Sequence, residues 1–246
     1  MYTNGVISRL AVAAWNVDHQ IHAREIPTPL VDALLGLNAD VIFLSEFVDS
    51  GDSDRDRLRN KLREAGYATQ ALAPAPSQYK GPRSFYNRIF AASKLPFEIG
   101  DIAPPTTDEF ATSNFLHLRL QDSDIELIGL RVPLWDRAEA FKNALYRAEL
   151  TKTLRTAARQ RALVVAGDWN RYRFNQLEGL YAVPEPEGPW SYMNSRGSNS
   201  RLDFAAHTNN VRIDDARYVY EVSGTRIAPK PLSDHAALWF TASAAQ

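Results

Sequence analysis

The chain has 246 residues, with 28 basic and 29 acidic side chains and a net charge of −1, a balance that argues against a strongly electrostatic nucleic-acid binder without excluding a local basic groove. The absence of Cys removes disulfides and thiolate metal sites, no run reaches the roughly 20 apolar residues of a membrane span, and residues 1–9 lack a signal-peptide pattern. The expectation is a single domain over residues 1–246 that works as a monomer in the cytoplasm.

Leu10 to Val17 reads as a first strand ending in Trp15-Asn16. Taken alone, Asn16 is a turn residue. His19 and His22 have the spacing of a metal pair, but no periodic pattern aims their rings together, and solvated loop histidines are the simpler reading. Pro29 suits the first turn of a helix through Leu30, Val31, Leu34 and Leu35, with Gly36 and Asn38 as stop signals. Asp40 opens a strand, Val41 to Leu44, that closes in Ser45-Glu46. Glu46 is either an edge carboxylate exposed to water or a ligand for a hard divalent cation.

Asp52 to Arg63 reads as a solvated helix with Leu58 and Leu62 spaced four apart. Tyr67 to Leu72 is a strand, residues 73–82 a proline-containing loop, and Ser84 to Ser93 another strand that carries Tyr86, Asn87 and Arg88. Asn114 to Leu120 alternates, with His117 and Arg119 on its wet face. It forms a hairpin with Ile125 to Val132 across a turn at residues 122–124, and Arg131 ends the second strand. Arg137 to Arg161 is the longest helical pattern. Its apolar stripe is Ala138, Phe141, Leu145, Ala148, Leu150, Leu154 and Ala157.

That helix leads into the stretch that organises the chain, Val164 to Asn170. Leu163, Val164 and Val165 have the composition of a strand covered on both faces, and Gly167 lets the backbone turn. Strand, helix, strand is a crossover unit and predicts a parallel pair. Asp168 and Asn170 follow at the strand's carboxyl end, where α/β sheets usually place their chemistry. A carboxylate there can take a proton or hold a cation, and a carboxamide can donate to an oxyanion. The bland reading is a turn in which both cap the backbone. Arg171 and Arg173 either grip phosphate oxygens or decorate a surface turn. Trp190 and Tyr192 are candidates for a substrate rim. Arg201 to Ala206 is a short strand with Asp203 embedded in it, Tyr218 to Val222 is another, and Ser233-Asp234-His235 precedes a last strand, Ala236 to Phe240.

In this order the polar strand ends resemble the endonuclease/exonuclease/phosphatase superfamily nearly end to end. Trp15-Asn16-Val17 is similar to its first Asn motif, and Ser45-Glu46 stands where it has Gln-Glu. Gly167-Asp168-Trp169-Asn170 resembles Gly-Asp-Phe-Asn, and Arg201-Leu202-Asp203-Phe204 resembles Arg-Ile-Asp-Tyr. Ser233-Asp234-His235 is similar to the terminal Ser-Asp-His. The resemblance implies a four-layer α/β sandwich, two mixed sheets face to face with helices outside. It also implies phosphate-ester hydrolysis with Mg²⁺ or Mn²⁺. Glu46 would hold the metal, with Asn16 and Asp234 beside it. Asp168 would orient or deprotonate the attacking water, and Asn170 would donate to the phosphate. His235 would contact the phosphate or move a proton, with Asp203 fixing its ring. Tyr86, Arg131, Arg171 and Arg173 would contact a phosphate-ester substrate, nucleic acid being one such class.

There are departures from that pattern. Arg131 stands where many members carry His, and Arg is a poor general acid because its pKa exceeds about 12. Ser45 replaces Gln, and Asn87 stands where some members have a second Glu. Two readings follow: a metal-dependent phosphodiesterase or nuclease, and a binding protein of the same fold with weak or lost catalysis.

Overall fold

The computed structural model describes residues 2–3, 6–18, 26–48, 53–75, 87–107, 111–170, 180–182 and 185–245. His19, His22, Tyr86, Arg171 and Arg173 lie outside the described residues, so the readings placed on them carry no structural account.

Twelve strands build two sheets: β1 Leu10–Asn16, β2 Val41–Val48, β3 Thr69–Leu72, β4 Asn87–Ser93, β5 Phe97–Ile99, β6 Phe115–Leu120, β7 Ile125–Arg131, β8 Ala162–Asp168, β9 Tyr181–Ala182, β10 Asp203–His207, β11 Val211–Val219 and β12 Ala237–Ala244. The helices are α1 Thr28–Gly36, α2 Ser53–Glu64 and α3 Ala140–Ala158. The first sheet runs β11-β12-β1-β2-β4-β3 and the second β9-β10-β8-β7-β6-β5. Each sheet is mixed and is centred on one parallel pair joined through a helix, β1–α1–β2 and β7–α3–β8. The carboxyl ends of all four central strands can therefore meet at one edge of the sandwich. No helix among the described residues is long and apolar enough to cross a membrane.

The period-2 alternation of strand side chains divides the core into three apolar layers. Val12, Ala14, Val41 and Phe43 of the first sheet face Leu116, Leu127, Val164 and Ala166 of the second. The opposite side chains of the first sheet, Ala13, Trp15, Ile42 and Leu44, pack under α1 and α2 through Leu30, Leu34, Leu58 and Leu62. Those of the second, Ile128, Leu130, Leu163 and Val165, pack under α3 through Tyr146, Leu150 and Leu154. Three interlayer cores make four layers, the arrangement expected from the sequence.

Several expectations need correction. The buried stripe of α3 is Tyr146, Leu150, Leu154 and Ala157, whereas Phe141 is 66% and Leu145 48% exposed. The seven-residue stripe read from sequence combines two helix faces, and only the one carrying 150, 154 and 157 meets the sheet. Asp136 caps a 3-10 turn at Arg137–Glu139, so the α-helix proper starts at Ala140. The strand expected at Tyr218 to Val222 is instead β11, which begins at Val211 and carries a bulge between Asp214 and Arg217. Its alternate side chains face water, which hides its first half from an apolar-run search. Gly167 is not a turn. It lies inside β8, between Leu130 and Phe204 on the neighbouring strands.

His117 is also not on a wet face, for it is 2% exposed. The amide of Ile102 donates to Nδ1 at 3.1 Å, and Nε2 lies 2.8 Å from Glu126 Oε2. Accepting at Nδ1 requires the neutral ring, with Nε2–H donating to Glu126. Burial pushes the His117 pKa down, only partly countered by Glu126. A depressed native value means that the native state binds fewer protons than the unfolded chain. The contribution of His117 is thus complete above about pH 6.5, the ordinary His value, and is lost as pH falls through the lower native value. We expect the stability gap between wild type and His117→Gln to narrow from pH 7 to pH 5 in urea melts. A gap that is constant with pH would show that the ring's charge state is irrelevant there.

Candidate active site

Asn16 ends β1 opposite Ser45 of β2, and Asp168 ends β8 opposite Arg131 of β7. Across the other flank of β8, Asp168 pairs with Asp203, the first residue of β10. A bulge between Leu44 and Phe47 turns Glu46 off the regular pleat, at φ +56°. Asp18 and Asn170, at φ +51° and +48°, hold the same left-handed conformation beside it. Non-glycine residues seldom adopt this region, and such strain concentrates at functional sites.

Two tryptophans tie the loops together. Trp15 Nε1 donates to His235 O at 2.9 Å, and Trp169 Nε1 donates to Phe204 O at 3.0 Å. Both rings are buried, so each indole supplies apolar area to a core while its N–H fixes the segment opposite, the loop at His235 for Trp15 and strand β10 for Trp169. Ser233 Oγ donates to Asn16 O at 2.6 Å and accepts from the His235 amide at 3.0 Å. Ser191 Oγ accepts from the amides of Leu202 and Asp203, and Tyr218 OH donates to Asp203 O. Arg147 of α3 donates to the carbonyls of Trp169 and Asn170, both at 3.1 Å.

These elements enclose a cleft of about 370 Å³ lined by Asp18, Glu46, Arg131, Leu134, Asp168, Asn170, Tyr192, Leu202, Asp234 and His235. A cavity of about 550 Å³ between residues 101–106 and α3 contains none of the residues singled out as catalytic or metal-binding. Asp203 Oδ2 lies 2.8 Å from His235 Nδ1, so a substrate is left with Nε2. Burial alone would lower the His235 pKa, yet the charge and hydrogen bond of Asp203, with Asp168 and Asp234 nearby, raise it to about 10. These carboxylates favour the charged form of the imidazole. Burial raises the Asp168 pKa to about 6, opposed by His235 and Arg131. Asp168 Oδ1 accepts from the Asn170 amide at 2.9 Å, and Oδ2 accepts from the side chains of Asn16 and Asn170, both at 3.1 Å.

Asn170 Nδ2 also donates to Val132 O at 2.8 Å. Donation to a phosphate, the role implied by resemblance, requires it to give up one of these bonds. Arg131 is engaged too. Its Nε and Nη2 lie 2.8 and 2.7 Å from Glu46 Oε1, an oxygen that also accepts from Asn16 Nδ2 at 3.1 Å. Tyr192 sits on the rim, its ring centroid 4.9 Å from that of His235, while Trp190 packs on Tyr220. Burial raises the pKa of Asp234, reinforced by the carboxylates of Asp18 and Glu46 and opposed by His235 and Lys230.

Asp18, Ser191, Tyr218, Ser233 and Arg147 carried no role in the sequence reading. Ser233 alone had a signal, its place in the Ser-Asp-His motif. Asp18 follows just after β1, and Ser191, Tyr218 and Arg147 reach the site through tertiary contacts. The donor types suit a hard divalent cation, since Glu46 and Asp234 carry carboxylate oxygens and Asn16 a carboxamide oxygen, which here accepts from the Asp18 amide at 3.0 Å. As they stand, no three acidic or His side chains among the described residues are grouped to hold an ion. Arg131 is on Glu46 where a cation would be.

Two face-to-face mixed sheets with a polar cleft at their strand ends define a deoxyribonuclease I-like fold. The chain belongs to the Endonuclease/Exonuclease/phosphatase family, whose model matches residues 13–235. None of the curated proteins matches it in sequence. Truncated TDP2 from Caenorhabditis elegans is similar in structure, with a TM-score of 0.66 at 15% identity over 96% of this chain and 98% of that one. An AP endonuclease from Archaeoglobus fulgidus gives a TM-score of 0.66 at 15% identity over 96% of this chain and all of that one. The 3′ phosphatase NExo from Neisseria, bound to a product DNA hairpin, gives 0.63 at 17% over 96% and 100%. At these identities the likenesses establish the fold.

Proposed function

We infer that this chain is a divalent-metal-dependent phosphoesterase that hydrolyses phosphodiesters. The observation that carries the reading is the convergence of Asp168, the Asp203–His235 pair, Glu46, Asn16 and Arg131 on one cleft. Their spread over the sequence gives no local structural reason for the meeting. Burying so many charges is costly unless they serve the site.

Asp18, Glu46, Asp168, Asp203 and Asp234 bring five carboxylates to the cleft or directly behind it, against the cations of Arg131, Lys230 and His235. An anionic ester enters this surplus of negative charge only with further positive charge beside it. Mg²⁺ or Mn²⁺ held by Glu46, Asn16 and Asp234 would supply that charge and polarise the phosphoryl group. Ionised Asp168 can orient and deprotonate a water molecule, and the upward shift that burial gives its pKa makes it a better base than an exposed carboxylate. The charged His235 ring, fixed at Nδ1 by Asp203, presents Nε2–H to a phosphate oxygen or to the departing alkoxide. Water oxygen replaces the leaving oxygen on phosphorus, and the alkoxide leaves as an alcohol.

Nucleic acid is the first substrate to try, because a DNA-bound phosphatase shares the fold. The net charge of −1 does not call for a long polymer. The second reading, a binding protein with weak catalysis, is favoured by one observation, the Arg131–Glu46 ion pair. Hydrolysis of bis-p-nitrophenyl phosphate and nicking of supercoiled plasmid separate the two. We expect turnover with Mg²⁺ or Mn²⁺, its loss in EDTA, and its loss in His235→Ala. Turnover that survives both EDTA and His235→Ala would sink the enzyme assignment for this cleft.

A further inference from the structure

We propose that Arg131 is a resident counter-ion on Glu46 that a divalent cation must displace, so that metal affinity rises when an anion gives the guanidinium another partner. This rests on the phosphoesterase reading of the cleft.

The argument is geometric. Two guanidinium donors converge on a single oxygen, Oε1, of a carboxylate whose side chain is 5% exposed, and the Arg131 side chain is 9% exposed. Buried ion pairs of this kind hold their partners in place because neither charge has water to return to. Glu46 is aimed at Arg131 by the bulge in β2, and Arg131 is presented by the last residue of β7. Arg131 is fixed in the β7–β8 ladder and Glu46 is held by the bulge between the paired residues Leu44 and Phe47, so the pairing is built into the fold. A guanidinium stays charged throughout the working pH range and cannot make way by losing a proton, as an imidazole could. A cation on either oxygen of Glu46 is repelled by the guanidinium at Oε1, and relief of that repulsion moves Arg131 off Glu46 when an ion arrives. It lines the same cleft as Asp168, Asn170 and His235, where a phosphate would be held. An anion in the cleft thus offers Arg131 a bidentate partner and vacates Glu46. By linkage the two ligands must then tighten each other's binding by the same factor.

The probes are Mn²⁺, read by the loss of the free-ion paramagnetic resonance signal, and dimethyl phosphate, a small phosphodiester anion. In the wild type we expect dimethyl phosphate to tighten Mn²⁺ binding by a factor on the order of 10, within the usual range of coupled sites. Arg131→Gln is expected to bind Mn²⁺ more tightly than the wild type without the anion, and to gain less from it than the wild type does. The same variant leaves Glu46 buried without its cation, so Mn²⁺ should raise its melting temperature more than it raises that of the wild type. Arg131→Lys keeps a charge but offers no fork, and should fall between the two. Mn²⁺ affinity in Arg131→Gln equal to or weaker than that of the wild type would overturn the counter-ion role. If Arg131→Gln fails to fold, Arg131→Lys decides, and wild-type Mn²⁺ affinity in it is the overturning result. Glu46→Gln, assayed alongside, locates the ion, and unchanged Mn²⁺ binding in it would also overturn the inference. Metal-dependent turnover by wild type, with no tighter binding in the variants, would reject the inference and leave the phosphoesterase standing. Neither binding nor turnover in any protein would remove both.

Discussion

Asp168→Asn is expected to lower turnover by about 10²–10⁴-fold, the usual worth of a positioned general base. The substitution keeps the volume of the side chain and removes its charge. Both oxygens of Asp168 accept hydrogen bonds, one from the Asn170 amide and the other from two carboxamides. A carboxamide can satisfy only one of these places and turns an N–H toward a donor at the other. The stability cost is offset in part, because the lost carboxylate is one that burial disfavours. Folding is therefore expected to survive, as is Mn²⁺ binding, since Glu46, Asn16 and Asp234 remain. Steady-state rates on bis-p-nitrophenyl phosphate, with Mn²⁺ titrations of the same preparations, test this. A variant that retains wild-type kcat would remove Asp168 from the chemistry, and one that loses Mn²⁺ binding as well would make it a metal ligand.

The largest expected stability effect is at Gly167. It lies inside β8 at φ +141°, and a Cβ there would sit 2.0 Å from the carbonyl oxygen of Leu130. That oxygen belongs to the parallel ladder of β7 and β8 and cannot move without breaking it. We expect Gly167→Ala to lose roughly 2–6 kcal/mol, summing about 1–3 for the disfavoured backbone and about 1–3 for overpacking. For a chain of this length that is a drop on the order of 10 °C in melting temperature. Gly197→Ala is the control. It has φ +81° and no atom within 4 Å of the added Cβ, so it carries the backbone cost alone. Equal melting temperatures for the two variants would mean that β7 relaxes away and that the close approach is unimportant. Because Gly167 precedes Asp168, catalysis should fall along with stability.

Much of this protein was legible in its sequence. Continuous apolar runs located β1, β2, β7 and β8, because strands covered on both faces have no polar side to hide. Polar residues closing those runs, Asn16, Glu46, Arg131 and Asp168, marked the cleft, because a polar group at the end of a buried strand must meet water, a partner or a ligand. The motif order made the family recognisable and named Asp203 and His235 together, and Asp203 Oδ2 lies 2.8 Å from His235 Nδ1. Patterns that depend on a neighbour were not legible. The face of α3 that meets the sheet is chosen by the sheet, so Phe141 and Leu145 were misread as core. His117 reads as polar, and only the approach of Ile102 and Glu126 makes burial of its neutral ring tolerable.

The sequence by itself determined the order of the strands along the chain and the chemical types available to the site, and its motif order carried the resemblance that implied the four layers. Periodicity and composition are local properties that the chain carries whether folded or not. Only the tertiary structure decided what each polar group does. It set Arg131 on Glu46, turned Asn170 toward Asp168 and Val132, and brought Ser191, Tyr218 and Arg147 to hold the loops. Except for Asn170 with Asp168, those contacts join residues well separated in the chain, and a hydrogen bond acts over about 3 Å. Which donors fall within that reach is fixed by sheet register and one bulge, not by the identity of any single residue.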